Sequence, residues 1–312
     1  MKVSASTSLA AIAAAVIVSP AEAAIVFQDN FDAGTSGASW TSALSAADAS
    51  VNYAFDYSTL GIPSAPNSTG GSTIGMRFLA NQSAGVFQGI SASPNSQSFA
   101  GDFKLNFDMW LNYVGPLGPG GNGTTQLATF GWGSNGTGVQ WPGLTSSVML
   151  GVTLDGGSSQ DYRLYKNNAQ DTAVATYAAG SQNNSATYYT SAYAGQSAPA
   201  SQLSLFAGQT GITDAGEVAF KWYDVEIQRA GNLLTWKIGG TLIASTDVST
   251  LTLSGSNIFF GLSDTNAGSS TDPNDFLNTA IYDNIRVEAV PEPALPVISL
   301  LLGGVALLRR RR

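Results

Sequence analysis

The chain has 312 residues, no cysteine, no histidine, and 21 acidic residues against 13 basic ones, for a formal charge of −8. Without His or Cys it cannot build a Ser-His-Asp or Cys-His nucleophile, a histidine-ligated zinc site or a disulfide framework. Its negative charge repels phosphate backbones, which excludes nucleic acid as the expected partner.

In chain order, Met1-Lys2 supplies a positive start, Leu9–Val18 an apolar run, Ser19-Pro20 a break, and Ala21-Glu22-Ala23 two small residues at cleavage positions. That order predicts a secretory signal peptide over residues 1–24, a signal helix removed by signal peptidase near Ala23 or Ala24. The body, 25–289, keeps eight basic and 19 acidic residues once Lys2, the four terminal arginines, Glu22 and Glu292 are set aside, a net −11. Its length suits one large β domain held by its own core.

The body shows no amphipathic helix pattern; short alternating runs separated by turn residues recur instead. Phe27–Asp32 opens it, followed by strands at Lys104–Leu111 and Ser147–Leu154. Asp155-Gly156-Gly157 turns the latter back into Tyr162–Tyr165. Residues 221–246 are the clearest stretch: Tyr223, Val225 and Ile227 alternate with Asp224, Glu226 and Gln228. Ala230-Gly231-Asn232 then turns the chain, Leu234, Trp236 and Ile238 share one face, and Gly239-Gly240 turns it again. Asn257–Ser263 and Ala280–Glu288 add two more strands, so the expected fold is all-β, an antiparallel sandwich. Residues 115–123, 167–200 and 263–278 read as long loops or insertions.

The meander from Trp222 through Val225, Glu226 and Gly231 to Trp236, followed by FFGLSD (259–264) and IYDNIRV (281–287), resembles the concanavalin A-like and laminin G-like jelly-roll superfamily. The resemblance implies a jelly roll whose closing strand pairs with the first. The ending is similar to a PEP-CTERM sorting signal: Val290-Pro291-Glu292-Pro293, a 15-residue apolar run from Ala294 to Leu308, and Arg309, Arg310, Arg311 and Arg312. That resemblance implies an exported protein of a Gram-negative, biofilm-forming bacterium, with 290–312 handled by exosortase. The run is short for a permanent span, which takes about 20 residues. It suits a short hydrophobic transmembrane helix that anchors the chain transiently in the inner membrane, with the arginines on the cytoplasmic side. The expected destination is the cell surface or extracellular matrix.

Three kinds of chemistry are open to such a body. A glycan-active hydrolase needs two carboxylates about 5–9.5 Å apart across the bond. The body holds only Glu217, Glu226 and Glu288 as glutamates, and none begins the E-x-D-x-x-E pattern of the laminarinase-like branch. Asp224 and Glu226 share a strand face, but in an ordinary exposed alternation, so a non-enzyme is expected. A structural calcium ion needs only oxygen ligands. The resemblance places one near the first and last strands, at Asp29, Asp32, Asp283 and Asn284; the alternative is that Asp283-Asn284 caps a turn or faces solvent. Asp264, Asp272 and Asp275 form a second, weaker set. Polysaccharide binding would use aromatic platforms, for which Trp110, Tyr113, Trp132 and Trp141 in or beside glycine-rich loops are the candidates, with Tyr188, Tyr189 and Tyr193 in the polar insertion. The alternative for each is the core, to which Trp222 and Trp236 are assigned. The expected role is structural or adhesive, with polysaccharide binding; a secreted hydrolase is the alternative.

Overall fold

A computed structural model describes residues 23–80, 82, 88–121, 123–266 and 273–290. The signal peptide and its helix (1–22), Pro291, Glu292, Pro293, the apolar run and Arg309–Arg312 lie outside the described residues, and so does Asp272. Among the described residues no helix is long and apolar enough to cross a membrane.

Two antiparallel sheets pack face to face. The first has eight strands: β1 (Ala24–Asp29), β3 (Ser50–Asp56), β4 (Ile74–Leu79), β6 (Phe103–Asn112), β11 (Tyr223–Ala230), β12 (Leu233–Ile238), β13 (Thr241–Asp247) and β15 (Thr279–Ala289). Their order is β13-β12-β11-β6-β15-β4-β3, with β1 also on β15. The second has seven strands: β2 (Trp40–Leu44), β5 (Gly89–Pro94), β7 (Gln126–Ser134), β8 (Val148–Thr153), β9 (Tyr162–Lys166), β10 (Ala169–Asp171) and β14 (Asn257–Asp264). Their order is β10-β9-β8-β7-β14-β5-β2. This is a jelly-roll sandwich in which the first and last strands pair, Ala24 opposite Ala289 and Asp29 opposite Ile285.

The alternation in 223–246 works as the pattern dictates. Val225, Ile227, Leu234, Trp236 and Ile238 are buried, while Asp224 is exposed and Glu226 only partly covered. Gly239 and Gly240 both take positive φ (53° and 79°), which a two-residue turn of the right twist requires between β12 and β13. Aromatic rings from both sheets fill the space between them. Phe107 of β6 meets Phe260 of β14 at 4.9 Å edge-on, and Trp236 of β12 meets Phe130 of β7 at 5.6 Å. Such pairs add about 0.5–1.5 kcal/mol beyond burial. Tyr282 keeps its hydroxyl satisfied at the core by donating to the Gly261 carbonyl at 2.9 Å.

Two elements named from the sequence have different bounds or content in the structure. The first strand ends at Asp29 rather than Asp32, because Asp29 accepts the Phe31 amide (2.9 Å) and Phe31 turns through φ 60° into the core. The 167–200 insertion holds helix α1 (Thr187–Ala192), with α2 (Ala200–Leu205) directly after it. Each has six residues, under two turns, too short to print a 3.6-residue period.

Candidate functional site

The outer face of the first sheet carries polar side chains in cross-strand rows. Asp108 on β6 lies opposite Asp224 on β11 and opposite Asp283 on β15, so three carboxylates stand side by side on adjacent strands. The next row along places Asn106 between Glu226 and Arg286, and Arg286 faces Gln28 on β1. The spacing is two residues on β6 (Asn106, Asp108) but three on β15 (Asp283, Arg286), so β15 bulges at Asn284. Asn284 takes φ 52°, a left-handed conformation that asparagine tolerates better than most residues. The bulge marks the point where β15 changes neighbours, from β4 (at Ala280–Tyr282) to β1 (at Ile285–Ala289).

The segment between β3 and β4 folds over this bulge. Asn67 donates its backbone and side-chain amides to Asp108 (3.2 and 2.8 Å), and Asn284 Nδ2 donates to the same carboxylate at 2.8 Å. Tyr57 and Ser68 hydroxyls each donate to Asp283 at 3.1 Å, and the Asn284 backbone amide does so at 2.7 Å. Both carboxylates are fully buried. Loss of solvation pushes Asp283 up to about 7 and raises Asp108 as well; the neighbouring Asp108 charge adds to the rise at Asp283. Burial first, then Asp108 and Glu226, also raise Asp224. Glu226 is held down by Lys237 and Lys104, at 2.8 and 2.9 Å, despite some burial.

Beside the bulge lies an open groove of about 700 Å³. Its floor is Asn106, Asp224, Arg286 and Glu288; its walls are Gln28, Asp29 and Asn30 on one side and Asn67, Thr69 and Asn284 on the other. Five of these are primary amides; Asn284 Nδ2 donates to both Asp108 and Ser68, and Asn67 and Asn30 donate to Asp108 and Asp32, so the donors that remain come chiefly from Gln28 and Asn106. Among its charges, Asp29 accepts from Ser36 and Trp40 (both 2.8 Å), and Glu288 is ion-paired with Arg286. A smaller pocket of about 170 Å³ lies under the glycine-rich loop, lined in part by Tyr113, Asp155, Asp214 and Glu217. Desolvation, with Asp214 and Asp155 adding, pushes Glu217 up to about 8.

The expected aromatic platforms are not platforms. Trp110, Tyr113, Trp132 and Trp141 are 1, 2, 4 and 8% exposed. Trp110 stacks against Trp222 and Phe220, Tyr113 donates to Glu217, Trp132 donates to the Phe99 carbonyl, and Trp141 closes over Gly89. Tyr189 and Tyr193 are likewise buried, and Tyr188 is exposed with its hydroxyl on the Leu242 carbonyl. In a glycine-rich sandwich the large rings are needed between the sheets. Trp222 and Trp236 do belong to the core, as expected.

The calcium set Asp29, Asp32, Asp283 and Asn284 is not assembled either. Among the described residues no group of three or more acidic side chains is arranged to hold a metal ion. The physical reason is the donor set: Asp29 accepts from Trp40, Ser36 and Phe31, Asp32 accepts from Asn30, and Asp283 accepts from Tyr57, Ser68 and Asn284. The second set is no better, for Asp264 accepts from Thr125 and Asn266, and Asp275 from Asn278. A calcium ion does not fit the first arrangement, and of the second set Asp272 lies outside the described residues. The groove residues that the sequence reading missed include Gln28, Asn30, Asn67, Thr69, Asn106 and Arg286. Asn106 and Arg286 left a signal, as positions on recognised strands.

No known protein-family pattern matches the chain, and no curated protein does. Among solved structures it is similar to a Bacillus subtilis protein of unknown function with a galectin-like fold, at 10% identity over 86% of this chain and 98% of that one, with a TM-score of 0.44. It is similar also to the Bacillus licheniformis beta-glucanase (13%, 84% and 97%, TM-score 0.41). A third is a carbohydrate-binding module from Bacillus subtilis (12%, 69% and 86%, TM-score 0.35). At these identities the likeness concerns the fold alone.

Proposed function

We propose that this is an exported surface or matrix protein that binds polysaccharide in the groove on the outer face of its first sheet and does not cleave it. The observation that carries the reading is the lining: Gln28, Asn30, Asn67, Asn106 and Asn284 present five amides in one elongated groove. Sugar hydroxyls donate and accept at once, and so do amides. Two features of the groove support binding over cleavage. Glu226, the carboxylate that shares a face with Asp224, stays ionised between two lysines, and Asp108 is sealed beneath Asn67 and Asn284. Export and exosortase sorting belong to the same reading, supported by the residues at 1–24 and 290–312.

Binding is tested with the mature protein from the native host on an array of neutral polysaccharides. Asn106→Ala is expected to weaken binding about fivefold, the worth of one ordinary hydrogen bond. No binding to any glycan overturns the reading. Intact mass of the same mature protein checks the tail: the expected form lacks Arg309 to Arg312, and a mass that retains them overturns exosortase processing.

A further inference from the structure

We infer that the groove selects glycans bearing free amino groups over neutral and acidic ones, an inference that rests on the glycan-binding reading above. Three observations about charge lead there. First, Arg286, the cation of the lining, is committed to Glu288 across the groove floor. Lys104 and Lys237, on the same sheet, are both paired with Glu226. Among the described residues the cations at the groove thus each face a carboxylate of the protein, which disfavours a uronate or sulfate.

Second, Asp224 lines the groove, and among the described residues no side-chain hydrogen bond or ion pair engages its carboxylate. Its carboxylate faces Asp108 directly across the β6–β11 pairing, with Glu226 two residues along the same face. Both neighbours are of like charge, and Lys104, itself paired with Glu226, offsets them only in part, so a cation in the groove would relieve the ionised form of Asp224 further. Third, the surroundings are amides, which orient a ligand by hydrogen bonds without neutralising Asp224. A protonated sugar amine donates a charge-assisted hydrogen bond to such a carboxylate, stronger than the neutral bond an N-acetyl or hydroxyl group makes. The body as a whole adds long-range attraction for cations, but only Asp224 places that attraction inside the groove.

The test compares three probes on the mature protein by titration calorimetry at about pH 6, where an aliphatic amine keeps its proton. They are a glucosamine oligomer, its N-acetylated counterpart and a polygalacturonate oligomer. The expected result is roughly tenfold tighter binding of the amine form than of the N-acetyl form, and none of the uronate. Asp224→Asn, isosteric and uncharged, is expected to bring the ratio of amine-form to N-acetyl-form affinity from about ten to about one. Asp247→Asn removes one charge from an exposed position on β13 outside the groove and is expected to leave the preference intact. Equal affinity for the amine and N-acetyl forms overturns the inference and leaves glycan binding standing. A preference that survives Asp224→Asn, or falls equally with Asp247→Asn, overturns it too, because diffuse charge then explains it. Failure to bind all three probes overturns the inference, and failure on the neutral array overturns the reading beneath it.

Discussion

Raising the pH from about 5 to about 9 lowers the stability of the domain, and Glu217→Gln flattens that fall. Glu217 sits in the small pocket with Asp155 and Asp214, and no basic residue lines it. Its Oε2 accepts the Tyr113 hydroxyl at 3.3 Å and its Oε1 the Asp214 amide at 3.2 Å. Burial raises its folded value from 4.5 to about 8. At low pH the folded and unfolded chains both hold the proton, and the group costs nothing. Between about 4.5 and about 8 the unfolded chain has released the proton while the folded chain still holds it, so stability falls as pH rises. Above about 8 both states are ionised and the full penalty applies, on the order of 5 kcal/mol at about 1.4 kcal/mol per pKa unit. Asp283, raised to about 7, and Asp161, raised to about 6, act in the same direction.

At the acid end the sign reverses. Glu226 and Asp171 are held below their ordinary values by lysines, so their contribution is lost as pH falls through the lowered value. The expected optimum is therefore mildly acidic. Urea unfolding across the pH range measures it directly. A wild-type curve flat between about pH 5 and pH 9 contradicts the argument, and so does a Glu217→Gln curve as steep as wild type. The glutamine keeps the shape and both hydrogen bonds, donating from Nε2 to Tyr113 and accepting the Asp214 amide, so its neutrality is the variable.

Much of the sandwich could be read directly because its strands are half-exposed. Between Tyr223 and Lys237, each buried apolar residue is followed by a more exposed polar one, and the glycines at 231, 239 and 240 fall where the turns need positive φ. Strand β7 escaped notice for the opposite reason. Gln126–Ser134 is buried on both faces and contains Gly131 and Gly133, so no alternation survives. Gly131 is there because a Cβ would collide with the Val148 carbonyl at 2.1 Å and the Phe259 ring. The groove was half legible. Asn106 and Asp108 stand on a strand whose outward positions the alternation identifies. Gln28, Asn67 and Asn284 come from three distant segments, joined only when the last strand pairs with the first and the β3–β4 segment folds over the bulge. The aromatic reading failed because ring size says nothing about which side of a sheet a ring occupies. A fold with 35 glycines fills its interior with whatever large rings it has.

Replacing Asn284 is expected to separate the bulge's backbone from its amide. Asn284→Val places a β-branched residue at φ 52°, a conformation that costs L-residues about 1–2 kcal/mol. It also deletes the donor to Asp108 Oδ2 at 2.8 Å and to Ser68 Oγ at 3.1 Å, leaving a buried carboxylate short of one partner, for about 1–3 kcal/mol more. The expected total is about 3 kcal/mol, read as a lower urea midpoint with an unchanged slope. Asn284→Gly accepts the positive φ freely and loses only the amide, so its cost is expected to be about half that of valine. Both variants are expected to lose glycan binding to a similar extent, because the amide is what lines the groove and what holds Asp108 in place beneath it. Glycine as stable as asparagine would show that the amide does not tether the bulge to β6. Glycine binding as tightly as asparagine would show that the groove's ligand reaches neither Asn284 nor the carboxylate row it covers.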